Sequence, residues 1–181
     1  MSHLPVWYLG KINTKICDIA LEEIMQIPPL EATMGSDGLT KDETGRKTEV
    51  RFAEEGHWFS GIMADFGYLA NKKVGWNYKI DGYENLQLGR YMDDGHYDWH
   101  VDNFPLEVRP RERKVSVVCL MNDSSEYEGG KFGVKLYNEY TPDLQKGSII
   151  AFPSCLEHKV YPVTSGVRTS AVIWMTGPIM R

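Results

Sequence analysis

The chain is short of cysteine. Cys17, Cys119 and Cys155 are its only thiols in 181 residues. So few, so widely spaced, they exclude a disulfide framework, and no pair has zinc-knuckle spacing. They read as buried or free thiols in a reducing cytoplasm. Long apolar runs are missing too, and no stretch reaches the uninterrupted length of a membrane helix. MSHLPVWYLG has neither the basic start nor the apolar core of a secretory signal. The expectation is therefore a soluble cytoplasmic protein with no membrane partner. Positive charge is not in excess: 20 Lys and Arg stand against 25 Asp and Glu, a net charge of −5. That argues against a general nucleic-acid binder, whose affinity comes from a basic face. Repeats, low-complexity tracts and interdomain linkers are also absent. What is present, 42% hydrophobic and 25% charged residues, suits one compact domain over residues 1–181.

Helical signals come first. In NTKICDIALEEIMQI, Ile16, Ile19, Ala20, Ile24 and Ile27 follow helical spacing, with Asn13 or Thr14 as N-cap and Pro28-Pro29 as stop. The polar stretch Leu30 to Lys47 reads as a loop. In HWFSGIMADFGYLANKK, Trp58, Ile62, Phe66 and Leu69 form an apolar stripe, and Asn71 with two lysines suits the helix end. From Asn85 the pattern changes to short strands. KVSVVCLM alternates, with Val115, Val117, Cys119 and Met121 on one face and Ser116, Val118 and Leu120 on the other. EGGKFGVKLY, GSIIAFP, EHKVYPV and VRTSAVIWM follow. Turns are marked at Asp93-Asp94-Gly95, Glu128-Gly129-Gly130, Lys146-Gly147 and Ser165-Gly166. This predicts an α+β fold: a helical and loop support region over 1–84 and an antiparallel sandwich or barrel over 85–181.

Five histidines are available. His3 sits at the terminus and His57 starts a helix, which leaves His96, His100 and His158. HYDWHVD holds two His-x-Asp pairs, His96 with Asp98 and His100 with Asp102. On a strand, residues two apart share a face. Either pair could therefore join His158 in the two-His-one-carboxylate set of non-haem Fe(II) oxygenases, which leaves coordination positions open. Periodicity does not choose between the copies, since all four residues share one face of a straight strand. On the next predicted strand, Arg168 and Ser170 also share a face. A guanidinium fork with a hydroxyl beside it suits the far carboxylate of a chelating dicarboxylate.

With these residues assembled, the stretch from Leu86 to Pro178 resembles the Fe(II)- and 2-oxoglutarate-dependent dioxygenases of the prolyl 4-hydroxylase-like branch. RYMDDGHYDWHVD supplies Tyr91, Gly95, Tyr97, His100 and Asp102; HKVYPVTSGVR supplies His158, Pro162, Val163, Gly166 and Arg168. The second run looks like the PKHD-type hydroxylases. The resemblance implies a double-stranded β-helix (jelly-roll, cupin-like) core buttressed by N-terminal helices. It implies Fe(II) held by His100, Asp102 and His158, and 2-oxoglutarate anchored by Arg168 with Ser170 and Tyr91 assisting. Tyr97 and Trp174 would line the substrate pocket. At the family's offsets Tyr91 and Tyr97 select the second His-x-Asp, so His96 and Asp98 would not be ligands. Leu120 stands where some oxygen-sensing members carry a cosubstrate-binding tyrosine.

The implied reaction hydroxylates an unactivated C–H bond using O2, with ascorbate as a reductant, and releases succinate and CO2. Asp102 favours hydroxylation over halogenation, whose enzymes lack the carboxylate. The expected partner is a peptide, protein or amino-acid substrate, with proline foremost. AlkB-type nucleic-acid demethylation needs a second arginine that VRTSAVIW lacks; a non-catalytic cupin-like module is the non-enzyme alternative. Leu30–Lys47 and Asn103–Lys114, the latter carrying Arg109, Arg111 and Arg113, are the expected substrate-contacting loops.

Overall fold

The structure, a computed structural model, describes residues 6–32, 44–103 and 111–179. His3, Arg109 and most of the two expected substrate loops lie outside them. Two helices and fifteen strands follow in order. They are β1 (Tyr8–Lys11), α1 (Thr14–Met25), β2 (Leu30–Glu31), β3 (Arg46–Lys47), β4 (Glu49–Phe52), α2 (Trp58–Val74), β5 (Gly82–Tyr83) and β6 (Gln87–Tyr91). Then come β7 (His96–His100), β8 (Glu112–Leu120), β9 (Tyr127–Gly129), β10 (Phe132–Lys135) and β11 (Glu139–Tyr140). The last are β12 (Ser148–Pro153), β13 (Glu157–Val160), β14 (Val163–Gly166) and β15 (Arg168–Gly177). The larger sheet runs β1-β12-β8-β15-β6-β4-β2, with β5 on β15; the smaller runs β11-β10-β13-β7-β3; β14 and β9 pair separately. Among the described residues no helix is long and apolar enough to cross a membrane.

The alternation of β8 sorts the core into two layers. Val115, Val117, Cys119 and Met121 pack with Cys17, Ile24, Phe59 and Met63 of the helices. Val118 faces the other way, with Ile150 and Phe152 of β12 meeting Phe132, Val134 and Val160 of the smaller sheet. Both faces of β8 are therefore buried, and its polar members must find partners inside. Ser116 is one of them, and its partner lies in the site described below.

Asn13 caps α1, its side chain accepting from the Lys15 N–H at 2.9 Å. Ile19 is not on the buried stripe: it is 52% exposed, and Cys17 sits in the core. Helix α2 departs from expectation in the same way. Its buried face is Phe59, Met63, Ala64, Gly67, Ala70 and Val74, while Trp58 and Leu69 are exposed. The cause is the sheet beneath. A Cβ on Gly67 would lie 3.0 Å from Met175 Cγ and Val117 Cγ2, so the helix seats its small residues where the sheet is closest. Trp58 instead lies across the surface and donates its indole N–H to Glu23 Oε2 at 2.6 Å. Asn71 fastens the chain after α2 through both hydrogen bonds to the Tyr78 backbone. Left-handed Gly75 ends the helix.

The first third is not only helix and loop. β1 pairs with β12, β4 with β6 and β3 with β7, so this region adds strands to both sheets.

Candidate active site

β7 and β13 place His100 directly opposite His158. Beyond that pair the register slips. Tyr97 faces Val160, so two residues on β7, Asp98 and Trp99, oppose the single Lys159. This bulge turns Tyr97 and His100, three apart in sequence, onto one face. Their rings stack with centroids 3.4 Å apart at 12°. The slip also turns the first His-x-Asp away. His96 is engaged at both ring nitrogens by the carbonyls of Asp94 (2.9 Å) and Thr44 (3.1 Å). Asp98 is exposed and meets Lys159 Nζ at 3.3 Å. The straight strand assumed from sequence does not exist here, and the ambiguity it left between the two copies goes with it.

His100, Asp102 and His158 offer ligand atoms that all lie within 4.8 Å of one another. His158 Nε2 is 3.3 Å from Asp102 Oδ2, and His100 Nε2 is 3.8 Å from Asp102 Oδ1. The His100 Nδ1–H donates to the Asp98 carbonyl at 2.7 Å, and the His158 Nδ1–H to the Leu156 carbonyl at 3.0 Å. These bonds occupy both Nδ1 atoms and leave both Nε2 atoms facing the carboxylate. Ser116 Oγ donates to Asp102 Oδ2 at 2.6 Å and contacts Ser154 Oγ at 2.9 Å. The Asp102 N–H donates to the Ser154 carbonyl at 2.9 Å, which pins the residue's backbone as well.

Charge follows from this packing. Burial first, and the neighbouring His158 second, push the His100 imidazole down to about 3. Burial alone would raise the Asp102 carboxyl, but His158, His100 and Ser116 together hold it well below the ordinary carboxylate range. Burial opposes protonation of His158, yet Asp102 outweighs it and raises the imidazole. A neutral imidazole, an ionised carboxylate and a second imidazole that trades its proton for a cation form a donor set suited to a divalent metal. Cis ligand atoms on ~2.1 Å bonds lie about 3 Å apart, so the two histidine–aspartate spacings of 3.3 and 3.8 Å need only a small contraction.

Arg168 lies on β15 of the larger sheet, 1% exposed, in register with Tyr91 of β6. It donates through Nη1 to Ser170 Oγ at 3.0 Å, lies with Tyr127 against Gly130, and holds its guanidinium carbon 5.5 Å from the Tyr91 ring centre. No carboxylate pairs with it among the described residues. A charge this deeply buried needs an anionic partner. Left-handed Gly130 makes room, since a Cβ there would come within 2.9 Å of Arg168 Cδ. Trp174, in register with Ser116, lies under the Arg113 guanidinium at 3.7 Å; Glu84 holds that arginine with two bonds, of 2.8 and 2.6 Å. Its indole N–H is buried without a partner.

The structure thus gathers His100, Asp102, His158 and Tyr97 at the smaller sheet, and Arg168, Ser170, Trp174 and Tyr91 on β15 and β6 of the larger one, with Ser116 of β8 joining Asp102 to the larger sheet. Sequence reading missed Ser116, Ser154 and Tyr127. Ser116 had one visible signal, a lone hydroxyl within the apolar run KVSVVCL.

Known proteins give the same picture. The model of the 2OG-Fe(II) oxygenase superfamily matches residues 86–176. A PKHD-type hydroxylase from Xylella fastidiosa strain M23 is 33% identical over 98 residues, 49% of this chain and 43% of that protein. One from Synechococcus sp. strain CC9605 is 38% identical over 93 residues, 50% of this chain and 41% of that protein. The match thus spans less than half the length of these curated relatives. Among solved structures, a Pseudomonas putida prolyl-4-hydroxylase superposes with TM-score 0.74 at 17% identity, covering 95% of this chain and 93% of its own. A Trichoplax adhaerens prolyl hydroxylase, solved with a hypoxia inducible factor peptide fragment, gives 0.77 at 15% identity, covering 94% and 83%. Both share the double-stranded β-helix fold. The family match contains both histidines, the aspartate and the buried arginine, and the chain belongs to the 2OG-Fe(II) oxygenase superfamily.

Proposed function

We propose that the protein is an Fe(II)- and 2-oxoglutarate-dependent hydroxylase of an amino-acid residue in a peptide or protein, prolyl foremost, releasing succinate and CO2. The 1–181 chain acts in this reading as one catalytic domain in the reducing cytoplasm. The observation that carries it is the presence, in one fold, of a His-Asp-His set with Asp102 and His158 buried and of a buried arginine with no carboxylate partner among the described residues. His100, Asp102 and His158 would hold the iron. Iron held there would supply the oxygen-activating chemistry, with 2-oxoglutarate as cosubstrate and ascorbate as an external reductant.

The chain's own residues do the rest. Ser116 and the two backbone carbonyls hold the three ligands in orientation, so little reorganisation accompanies metal entry. Arg168 takes the distal carboxylate of 2-oxoglutarate through a charge-assisted fork, with Ser170, Tyr127 and Tyr91 fixing its position. Tyr97 and Trp174 wall the substrate side and keep water from the reacting carbon. The test is succinate formation with iron, oxygen, ascorbate and candidate prolyl peptides, read with the mass of the product. A gain of one oxygen on the peptide, matched to succinate, is expected. No succinate under any condition would overturn the reading.

A further inference from the structure

Six arginines are among the described residues, and their partners divide them. Arg51 and Arg90 pair with Glu49, Arg111 with Asp81 and Arg113 with Glu84. The two with no carboxylate partner among the described residues are Arg168 and Arg46. Each lies over an aromatic ring of the site, Arg168 over Tyr91 and Arg46 over Tyr97, the latter 4.5 Å from the ring centre. Arg168 already has a role in the proposed reaction. Arg46 has none.

Register puts Arg46 on the site side. β3 pairs Arg46 directly opposite Tyr97, and cross-strand partners point to the same face. The bulge in β7 turns that face toward His100, so Arg46, Tyr97 and His100 form a continuous column ending at the ligand set. Its neighbour Lys47 points the other way and donates to the Asp93 carbonyl at 2.5 Å. The Nε–H of Arg46 is buried and has no hydrogen-bond partner. A buried donor on a charged group costs free energy until an acceptor meets it.

We propose that Arg46 anchors a carboxylate of the substrate, so that the two unpaired guanidiniums divide the work: Arg168 holds the cosubstrate and Arg46 the molecule to be hydroxylated. This rests on the oxygenase reading above and names the class of its substrate, one carrying a carboxylate near the oxidised carbon. A guanidinium fork matches a carboxylate in two parallel bonds, and the stack on Tyr97 holds the fork in place. The carboxylate has two sources, the α-carboxylate of a free amino acid or an acidic side chain beside the target residue in a peptide.

The test uses matched probes on the iron-loaded enzyme with 2-oxoglutarate and oxygen. One arm pairs each common L-amino acid with its amide. The other pairs capped Asp-Xaa dipeptides with their Asn-Xaa counterparts. Wild type, Arg46→Gln and Arg46→Lys are compared by the succinate formed above the probe-free rate. In one arm the acid should exceed the neutral form by about tenfold or more, the scale of one charge-assisted hydrogen bond. That preference should collapse in Arg46→Gln and return in part in Arg46→Lys. The arm that responds identifies the source.

A second readout needs no turnover. In the zinc-loaded protein the Arg46 Nε–H resonance, identified by its loss in Arg46→Gln, should shift with the acid and not with the neutral probe. Equal response to acid and neutral forms, a preference that survives Arg46→Gln, or no shift with any acid would each overturn the proposal. Failure of the oxygenase reading looks different: no succinate from wild type, with the acid-specific resonance shift retained.

Discussion

Ser116→Ala tests whether the hydroxyl on β8 tunes the metal centre. Its Oγ donates to Asp102 Oδ2 at 2.6 Å in a buried setting. A hydrogen bond to a charged group contributes about 1.5–3 kcal/mol, and loss of such an orienting partner costs roughly 10–100-fold in metal affinity. At about 1.4 kcal/mol per tenfold, the two figures agree. The contact with His158 survives the change, so Asp102 keeps a partner that favours its charge but loses the hydroxyl that orients it. The expected result is a tenfold or greater weakening of Fe(II), measured anaerobically by competition with a chelator. Thermal unfolding separates this from damage to the fold. A purely structural loss lowers Tm with and without metal, whereas lost orientation removes mainly the increment that metal adds. Affinity within about threefold of wild type would refute the reasoning, since it would put the bond below the lower bound for a charge-assisted one.

His96→Ala should retain iron and His100→Ala should lose it, read by metal content after gel filtration; the reverse would move the site by one motif. Arg168→Ala should raise the 2-oxoglutarate requirement by a factor equivalent to about 2–5 kcal/mol, the cost of removing one partner of a buried charge pair; an unchanged requirement would break the cosubstrate assignment. Tyr127→Phe removes a hydroxyl that favours the charged Arg168 and should raise the same requirement by about tenfold or less. Gly67→Leu forces a side chain into the space held by Met175 and Val117, and should lower denaturant stability by about 1–3 kcal/mol or more.

What could be read in the sequence, and what could not, divides along one line. Features fixed by a residue's own chain neighbours were legible. The β8 alternation, the Asn13 cap and the His-x-Asp spacing are local, and each reappears in the fold. Features fixed by a partner across space were not. The buried stripe of α2 is set by how closely the sheet approaches Gly67, and that distance is written in Met175 and Val117 rather than in the helix. The short strands β1, β3 and β4 owe their existence to edges offered by β12, β7 and β6, so two to four residues sufficed without any alternation to announce them. Tyr127 and Arg168 meet only across space, both against Gly130, and the strand that carries Tyr127 exists by pairing β9 with β14.

The doubled His-x-Asp is where this division bears on chemistry. Four residues at even spacing, His96, Asp98, His100 and Asp102, would crowd one face of an ideal strand with two imidazoles and two carboxylates. The extra residue opposite Lys159 prevents that. It delivers His96 to backbone carbonyls and Asp98 to a lysine at the surface, and leaves one imidazole and one carboxylate facing His158. The same slip brings Tyr97 inward against His100 and, through the pairing of β3, carries Arg46 with it. In the proposed centre, one inserted residue would therefore set both the number of ligands and the charge stacked beside them. The inner face is cleared of surplus ligands, which keeps coordination positions open for the substrates an oxygenase must bind.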